Sequence, residues 1–289
     1  MSELAALDPI ETEHQAQRAA LKAPLNFIAR QEEKPSFHSQ ALTGGDHKYF
    51  YDVETHIVPI GDMREIAETL SIDAEGFEFL EEPTGVEDLN DDEQVAKTYL
   101  PEIEALLRRH FGASQVIVFD FTRRSDAETG ADNPDGKRET ASQVHVDYTV
   151  QSGPQRAAEI LGEHEFDRLT KAGARILQVN VWRPISGPVE RSDLALADAS
   201  SIAADDLIAT DQVFPDRVGE IYMLAHTPTQ RWYYAPEMTK DEVLLIKGWD
   251  SLDDGRARFT PHGAISPDVA APGAQPRESI EARAFIVIE

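Results

Sequence analysis

Residues 142–150 read Ser142-Gln143-Val144-His145-Val146-Asp147-Tyr148-Thr149-Val150. Apolar side chains at 144, 146, 148 and 150 alternate with polar ones, which predicts a strand with His145 and Asp147 on the same face. In a strand, positions i and i+2 lie about 7 Å apart, close enough for an imidazole and a carboxylate to converge on one ion. His145 is the only one of the nine histidines followed two residues later by a carboxylate. With 53 acids among 289 residues, chance supplies about one or two such spacings. The alternating context therefore carries the weight, not the spacing itself.

Working outward, the chain from 111 onward is rich in strand patterns. Gln115–Phe121, Arg175–Val181, Gly219–Ala225, Arg231–Ala235, Asp241–Lys247 and Ser279–Ile288 all read as strands. Residues 125–140 form a polar, Gly/Pro-bearing, lid-like loop, and Pro188–Asp206 an acidic, Ala-rich one. Pro154–Lys171 reads as helix. The first 110 residues lean toward helix. A short helix is expected over Ala19–Ala29, another over 62–75, and the clearest over Asp91–His110, with acids in its first turn and Arg108 and Arg109 near its end. Short strands are expected at 55–63 and 76–80, and Gly44–Asp52 as a loop entering a strand. Tyr49 and Tyr51 share a face there and are expected to cap the pocket. The sum is one domain over 1–289: a helix-rich part, 1–110, packing on a mainly β, jelly-roll core, 111–289, with the N-terminal extension over the barrel mouth.

Composition narrows the chemistry. A chain that is 41% hydrophobic can bury a core. The absence of cysteine excludes disulfides, thiolate metal sites and a cysteine nucleophile. A net charge of -26 argues against nucleic acid and anionic membrane surfaces as partners. No stretch has the length and apolarity of a membrane span, and the N-terminus lacks a leader pattern, so a cytoplasmic protein is expected. There is no internal repeat, no GxGxxG after a strand, no P-loop and no HExxH.

A mononuclear iron site would need one more histidine beside His145 and Asp147 to complete a facial triad with open positions. His262, in Phe259-Thr260-Pro261-His262-Gly263, is preferred, and His226 is the other candidate. Farther along, Arg277 and Ser279 would share a strand face. A guanidinium fork beside a hydroxyl is suited to a carboxylate. Arg283 lies on the same strand as a second possible clamp. Arg123-Arg124 is expected to form a solvated or ion-paired rim.

This order resembles the 2-oxoglutarate-dependent, non-heme iron oxygenases with a double-stranded β-helix core. Val181-Trp182-Arg183-Pro184-Ile185, Gln230-Arg231-Trp232-Tyr233-Tyr234, Asp241-Glu242-Val243-Leu244-Leu245, Phe259-Thr260-Pro261-His262 and Pro276-Arg277-Glu278-Ser279-Ile280-Glu281 are similar to a narrower family. It contains the cephamycin 7α-methoxylation oxidoreductase and fungal hydroxylase/desaturases of the gibberellin desaturase type. The likeness spans roughly residues 75–289. It departs at Gln230, where the family commonly has a histidine, and in the Ala270–Pro276 insertion. The resemblance implies His145, Asp147 and His262 as iron ligands, and Arg277 and Ser279 as the clamp for 2-oxoglutarate. Asn180, pointing into the barrel, would bond the cosubstrate or a water. Arg183, His226, Gln230, Trp232 and Tyr234 are substrate-pocket candidates. The implied cofactors are Fe(II), 2-oxoglutarate and O2. The implied reaction is hydroxylation or desaturation of an unactivated C–H bond in a small specialised metabolite, with release of succinate and CO2. Two other readings stand beside it: a cupin-type iron oxygenase without the cosubstrate, and a non-catalytic barrel that binds a small molecule.

Overall fold

The computed structural model describes residues 21–39, 43, 47–134 and 136–289. The N-terminal extension expected over the barrel mouth, up to residue 20, lies outside the described residues, as do Gly44–Asp46 of the loop expected at Gly44–Asp52. The strands in chain order are β1 (Leu21–Ile28), β2 (Ser36–His38), β3 (Lys48–Tyr49), β4 (Val53–Asp62), β5 (Phe77–Glu81), β6 (Gln115–Ser125), β7 (His145–Val146), β8 (Arg175–Pro184), β9 (Leu194–Ala197), β10 (Leu207–Val213), β11 (Val218–Leu224), β12 (Trp232–Tyr234), β13 (Glu242–Asp250), β14 (His262–Ala264) and β15 (Glu278–Ile288). They form a ten-stranded sheet, ordered β1-β4-β12-β9-β14-β7-β11-β10-β2-β3, and a five-stranded sheet, ordered β5-β13-β8-β15-β6. This is the expected jelly-roll, double-stranded β-helix core with helices on one sheet.

Alternation along the five-stranded sheet decides which residues face the site. Val179, Val181, Val243, Leu245, Ile280, Ala282 and Ala284 point outward and pack under Tyr99, Ile103 and Leu107 of the helical stretch. The opposite face carries Gln178, Asn180, Trp182, Ser279 and Arg283, paired across β8 and β15. The helix over 91–110 is present, as Asp92–Gln94, Val95–Tyr99 and Leu100–Phe111 in succession. Asp91 caps it by accepting from the backbone N–H groups of Glu93 and Gln94, and Gly112, at φ 59°, ends it.

Several expectations give way. The region before 110 is not mainly helical, since it contributes β1 to β5. Ala19–Ala29 is strand from Leu21: Ala23, Leu25 and Phe27 alternate inward, and Pro24 is tolerated because β1 lies at the sheet edge. The helix over 62–75 shortens to a 3-10 turn at Met63–Thr69. The helix over Pro154–Lys171 is two, Ser152–Leu161 and Glu163–Ala172, broken at Gly162 with φ 88°. The Ala-rich loop holds β9, whose Leu-Ala-Leu-Ala is buried on both faces and so shows no alternation. The strand over 142–150 shortens to His145–Val146, with a single bridge from Gln143 to Asn26 before it, and Thr149 turns the chain into the next helix by bonding Ser152 and Gly153.

One buried ion cluster locks β13 to β8. Lys247 and Asp250 are fully buried. The Lys247 Nζ donates to Asp250 Oδ2 at 2.9 Å, Asp73 Oδ1 at 2.9 Å and the Ala257 carbonyl at 2.8 Å. Arg175 pairs with both acids. Removing the ammonium leaves Asp250 with Arg175 and the Leu252 backbone N–H. Lys247→Met is expected to lower the unfolding free energy by about 3 kcal/mol in urea denaturation, since breaking a buried pair strands its partner charge. An unchanged midpoint would contradict this.

Candidate metal centre

β14 lies antiparallel beside β7, and its first residue, His262, is directly opposite His145. The approach is close: a Cβ on Gly263 would stand 3.2 Å from the Val144 Cα. The two imidazoles lie with centroids 4.7 Å apart. Asp147 follows β7, with its Oδ1 3.8 Å from His145 Nε2. One ligand atom from each of His145, Asp147 and His262 lies within 4.8 Å of the other two. This is the convergence that the segment 142–150 foreshadows, with His262 rather than His226 as third member.

The groups around these three orient them. The Nδ1 of His145 donates to the Gln143 carbonyl at 2.8 Å, and the Nδ1 of His262 to the Thr260 carbonyl at 2.9 Å. Both bonds place the ring proton on Nδ1 and leave both Nε2 lone pairs free for a metal. Asn180 Nδ2 donates to Asp147 Oδ2 at 2.5 Å, and Gln178 Nε2 to Asn180 Oδ1 at 2.6 Å. Gly248 makes room for this relay, for a Cβ there would stand 1.8 Å from Gln178 Oε1. Burial, and then the neighbouring His262, push the His145 imidazole down to about 4, so it is neutral at physiological pH. Burial alone would raise the Asp147 carboxyl; Arg283, the two histidines and Asn180 outweigh it and hold the group at about 2. Two neutral imidazoles and one carboxylate fit a divalent metal and leave coordination positions open.

Arg277 and Ser279 are buried at the start of β15. The Arg277 guanidinium donates to the Ser192 carbonyl and lies over the Trp182 ring, 5.5 Å from its centroid. Its Nε is buried without a partner, and among the described residues no carboxylate lies within ion-pair distance of it. Burial, with Arg124 nearby, brings Arg277 down to about 10. A buried guanidinium with an idle donor fits the far carboxylate of a diacid. Arg283, the other possible clamp, is instead engaged by Asp120 at 2.7 Å and Thr122 at 3.2 Å.

The substrate-pocket candidates lie elsewhere. Arg183 points to the outer face, donating to the carbonyls of Lys240 and Glu82 over the Tyr99 ring; strand alternation puts it opposite Trp182. His226 stacks on His56 at 4.0 Å. Gln230 is buried and donates to the Ala225 carbonyl at 2.8 Å. Trp232 is a core residue against Phe27, and Tyr234 packs on the same cluster. Asn180 is engaged by Asp147 and Gln178. A cavity of about 250 Å³ beside the triad is lined instead by His145, Asp147, Tyr49, Tyr51, Arg124 and Arg283, among others. Tyr49 and Tyr51 therefore sit where the sequence puts them. Of Arg123-Arg124, the ion-paired half of the expectation holds for Arg123, which pairs with Asp92 at 2.6 Å but is buried outward rather than solvated and also donates to the Leu89 carbonyl, while Arg124 lines the cavity. Their adjacency on a strand was the available signal, since neighbours must face opposite ways.

Comparison with known proteins agrees with this geometry. The family described as oxidoreductase/YMDC permease-like domain matches residues 25–287. The hydroxylase/desaturase CTB9 of Cercospora beticola is 34% identical, over 82% of this chain and 78% of that protein. The alpha-ketoglutarate-dependent dioxygenase phiK of a fungal species is 32% identical, over 80% and 83%. Among solved structures, an iron and alpha-ketoglutarate-dependent endoperoxidase, NvfI, superposes with a TM-score of 0.81 at 26% identity, covering 93% of this chain and 98% of that one. The chain belongs to this family of non-heme Fe(II)- and 2-oxoglutarate-dependent oxygenases, with Fe(II), 2-oxoglutarate and O2 as its cofactor and cosubstrates.

Proposed function

We propose that His145, Asp147 and His262 hold the ferrous ion, that Arg277 and Ser279 hold the far carboxylate of 2-oxoglutarate, and that the enzyme hydroxylates or desaturates an unactivated C–H bond of a small specialised metabolite. The observation that carries this reading is the convergence of the three ligand atoms within 4.8 Å, with both histidine Nδ1 atoms already bonded to carbonyls. A cytoplasmic setting, where ferrous iron and 2-oxoglutarate are at hand, goes with it.

The bound iron supplies the activation of O2 that removes hydrogen from carbon. The chain supplies position. The carbonyls of Gln143 and Thr260 fix the ring tautomers. Asn180, itself held by Gln178, aims the Asp147 carboxylate. Arg283 keeps that carboxylate anionic. Arg277, over Trp182, anchors the diacid, and the Ser279 hydroxyl offers it a further bond. The apolar residues Trp182, Leu244 and Ile246 shield the interior from water.

Anaerobic titration with Fe(II) and 2-oxoglutarate, followed by the weak visible charge-transfer band, tests the ligand set. His145→Ala and His262→Ala are each expected to abolish the band and succinate release in protein that stays folded; a band that survives either change would contradict the assignment. Asn180→Ala is expected to weaken metal binding roughly 10- to 100-fold, the usual cost of losing a group that orients a ligand. Arg277→Gln is expected to leave metal affinity intact and weaken 2-oxoglutarate binding about tenfold or more, the loss of a charge-assisted bond. Unchanged 2-oxoglutarate affinity would remove Arg277 from the clamp, and succinate formation without any 2-oxoglutarate requirement would favour the cupin-type reading.

A further inference from the structure

We propose that Arg124 anchors a carboxylate of the primary substrate, so that this enzyme acts on a small organic acid with an apolar, ring-bearing body. The inference deepens the reading of the site as an iron and 2-oxoglutarate centre and rests on it.

Two cavities meet at the metal ligands. One of about 250 Å³ contains His145 and Asp147, and one of about 370 Å³ contains Asp147 and Tyr148. Arg124 lines both. It lies on β6 opposite Ser279 of β15, on the face that looks into the barrel. The side chain is half-buried, and among the described residues its one hydrogen bond runs from Nη1 to the Glu139 carbonyl at 2.9 Å. A guanidinium carries five N–H donors in a planar fork, so that single bond leaves most of them without a protein partner among the described residues. Among the described residues no carboxylate lies within ion-pair distance of it. Glu281 and Asp147 are the acids that act on it electrostatically, and burial still draws its pKa below the usual arginine value.

The contrast with other arginines of this acidic chain is sharp. Arg30, Arg64, Arg175, Arg191, Arg231 and Arg283 are each paired with a carboxylate. In a protein with 53 acids and 27 bases, an unpaired guanidinium beside the metal ligands marks a place where the partner comes from outside. Arg217, which lines the larger cavity, lies over the Phe214 ring, Arg183 is held by two carbonyls on the outer face, and the proposed function already assigns Arg277 to the cosubstrate. One side of the smaller cavity is apolar and aromatic, with Phe37, Tyr49, Tyr51, Ile221 and Met223, while polar residues such as Gln143, Gln212 and Arg283 line the rest. A planar carboxylate on the fork with a ring against those side chains satisfies both parts of the wall. The volume suits a small molecule rather than a polymer.

Two carboxylates could occupy the fork, that of the substrate or one from 2-oxoglutarate, and the test separates them. Anaerobic protein loaded with Mn(II) and 2-oxoglutarate is titrated calorimetrically with a matched series of arylalkanoic acids and their methyl esters, and 2-oxoglutarate affinity is measured separately in each variant. We expect acids to bind wild type and esters not to, and Arg124→Gln to bind the acids roughly tenfold more weakly or worse. We expect Arg124→Lys to recover part of that affinity, and 2-oxoglutarate affinity to stay within about twofold of wild type in both. Equal binding of acids and esters, or binding of neither to wild type that binds 2-oxoglutarate, overturns the proposal. So does loss of 2-oxoglutarate affinity in Arg124→Gln, which would make Arg124 the cosubstrate clamp. Failure of wild type to bind 2-oxoglutarate at all would instead overturn the reading beneath it.

Discussion

The pairing of β14 with β7 is the constraint on which the rest of this site depends. It sets His262 opposite His145 across one antiparallel rung, and Asp147 follows from the same short strand. Three side chains from two distant segments thereby reach one point without help from a flexible loop. Ligands carried on strands hold their geometry better than ligands on loops, and here both rings are further pinned through Nδ1 to backbone carbonyls.

The second organising feature is the two-faced five-stranded sheet. Its outer face is apolar and sits under the helix at 92–111. Its inner face presents Gln178, Asn180, Trp182, Ser279 and Arg283 toward the His145, Asp147 and His262 cluster. One residue of shift exchanges the faces, and this explains contrasts between neighbours. Trp182 lies under the Arg277 guanidinium while Arg183 lies over Tyr99 on the outer face. Arg124 enters the cavity while Arg123 is buried on the far side. The relay from Gln178 through Asn180 to Asp147 is a product of the same alternation, because 178 and 180 share a face.

Much of this was legible in the sequence. The alternation of 142–150 exposed the His145 and Asp147 pair, and the order of later motifs pointed to His262, Arg277 and Ser279. Strands with clear period-two patterns, such as β6, β8, β11 and β15, were also readable. What was not legible has physical causes. β9 is buried on both faces, so its Leu-Ala-Leu-Ala run has no alternation to detect. β1 contains a proline and short apolar steps that imitate a helix until the edge of a sheet is there to receive them. His226, Gln230, Trp232 and Tyr234 gather near one another in sequence and carry suggestive chemistry, yet His226, Trp232 and Tyr234 pack around a separate core that includes Phe27, and Gln230 bonds the Ala225 carbonyl and Asp206. Which of two faces a buried aromatic serves is settled by tertiary pairing, which a single sequence does not encode locally.

The account is tested most directly by an anaerobic crystal structure of the protein with Fe(II) and 2-oxoglutarate bound. It predicts a single ion held by the Nε2 atoms of residues 145 and 262 and one oxygen of residue 147, with the diacid reaching the guanidinium of residue 277. Iron held through His226, or bound without either of the two paired histidines, would contradict it.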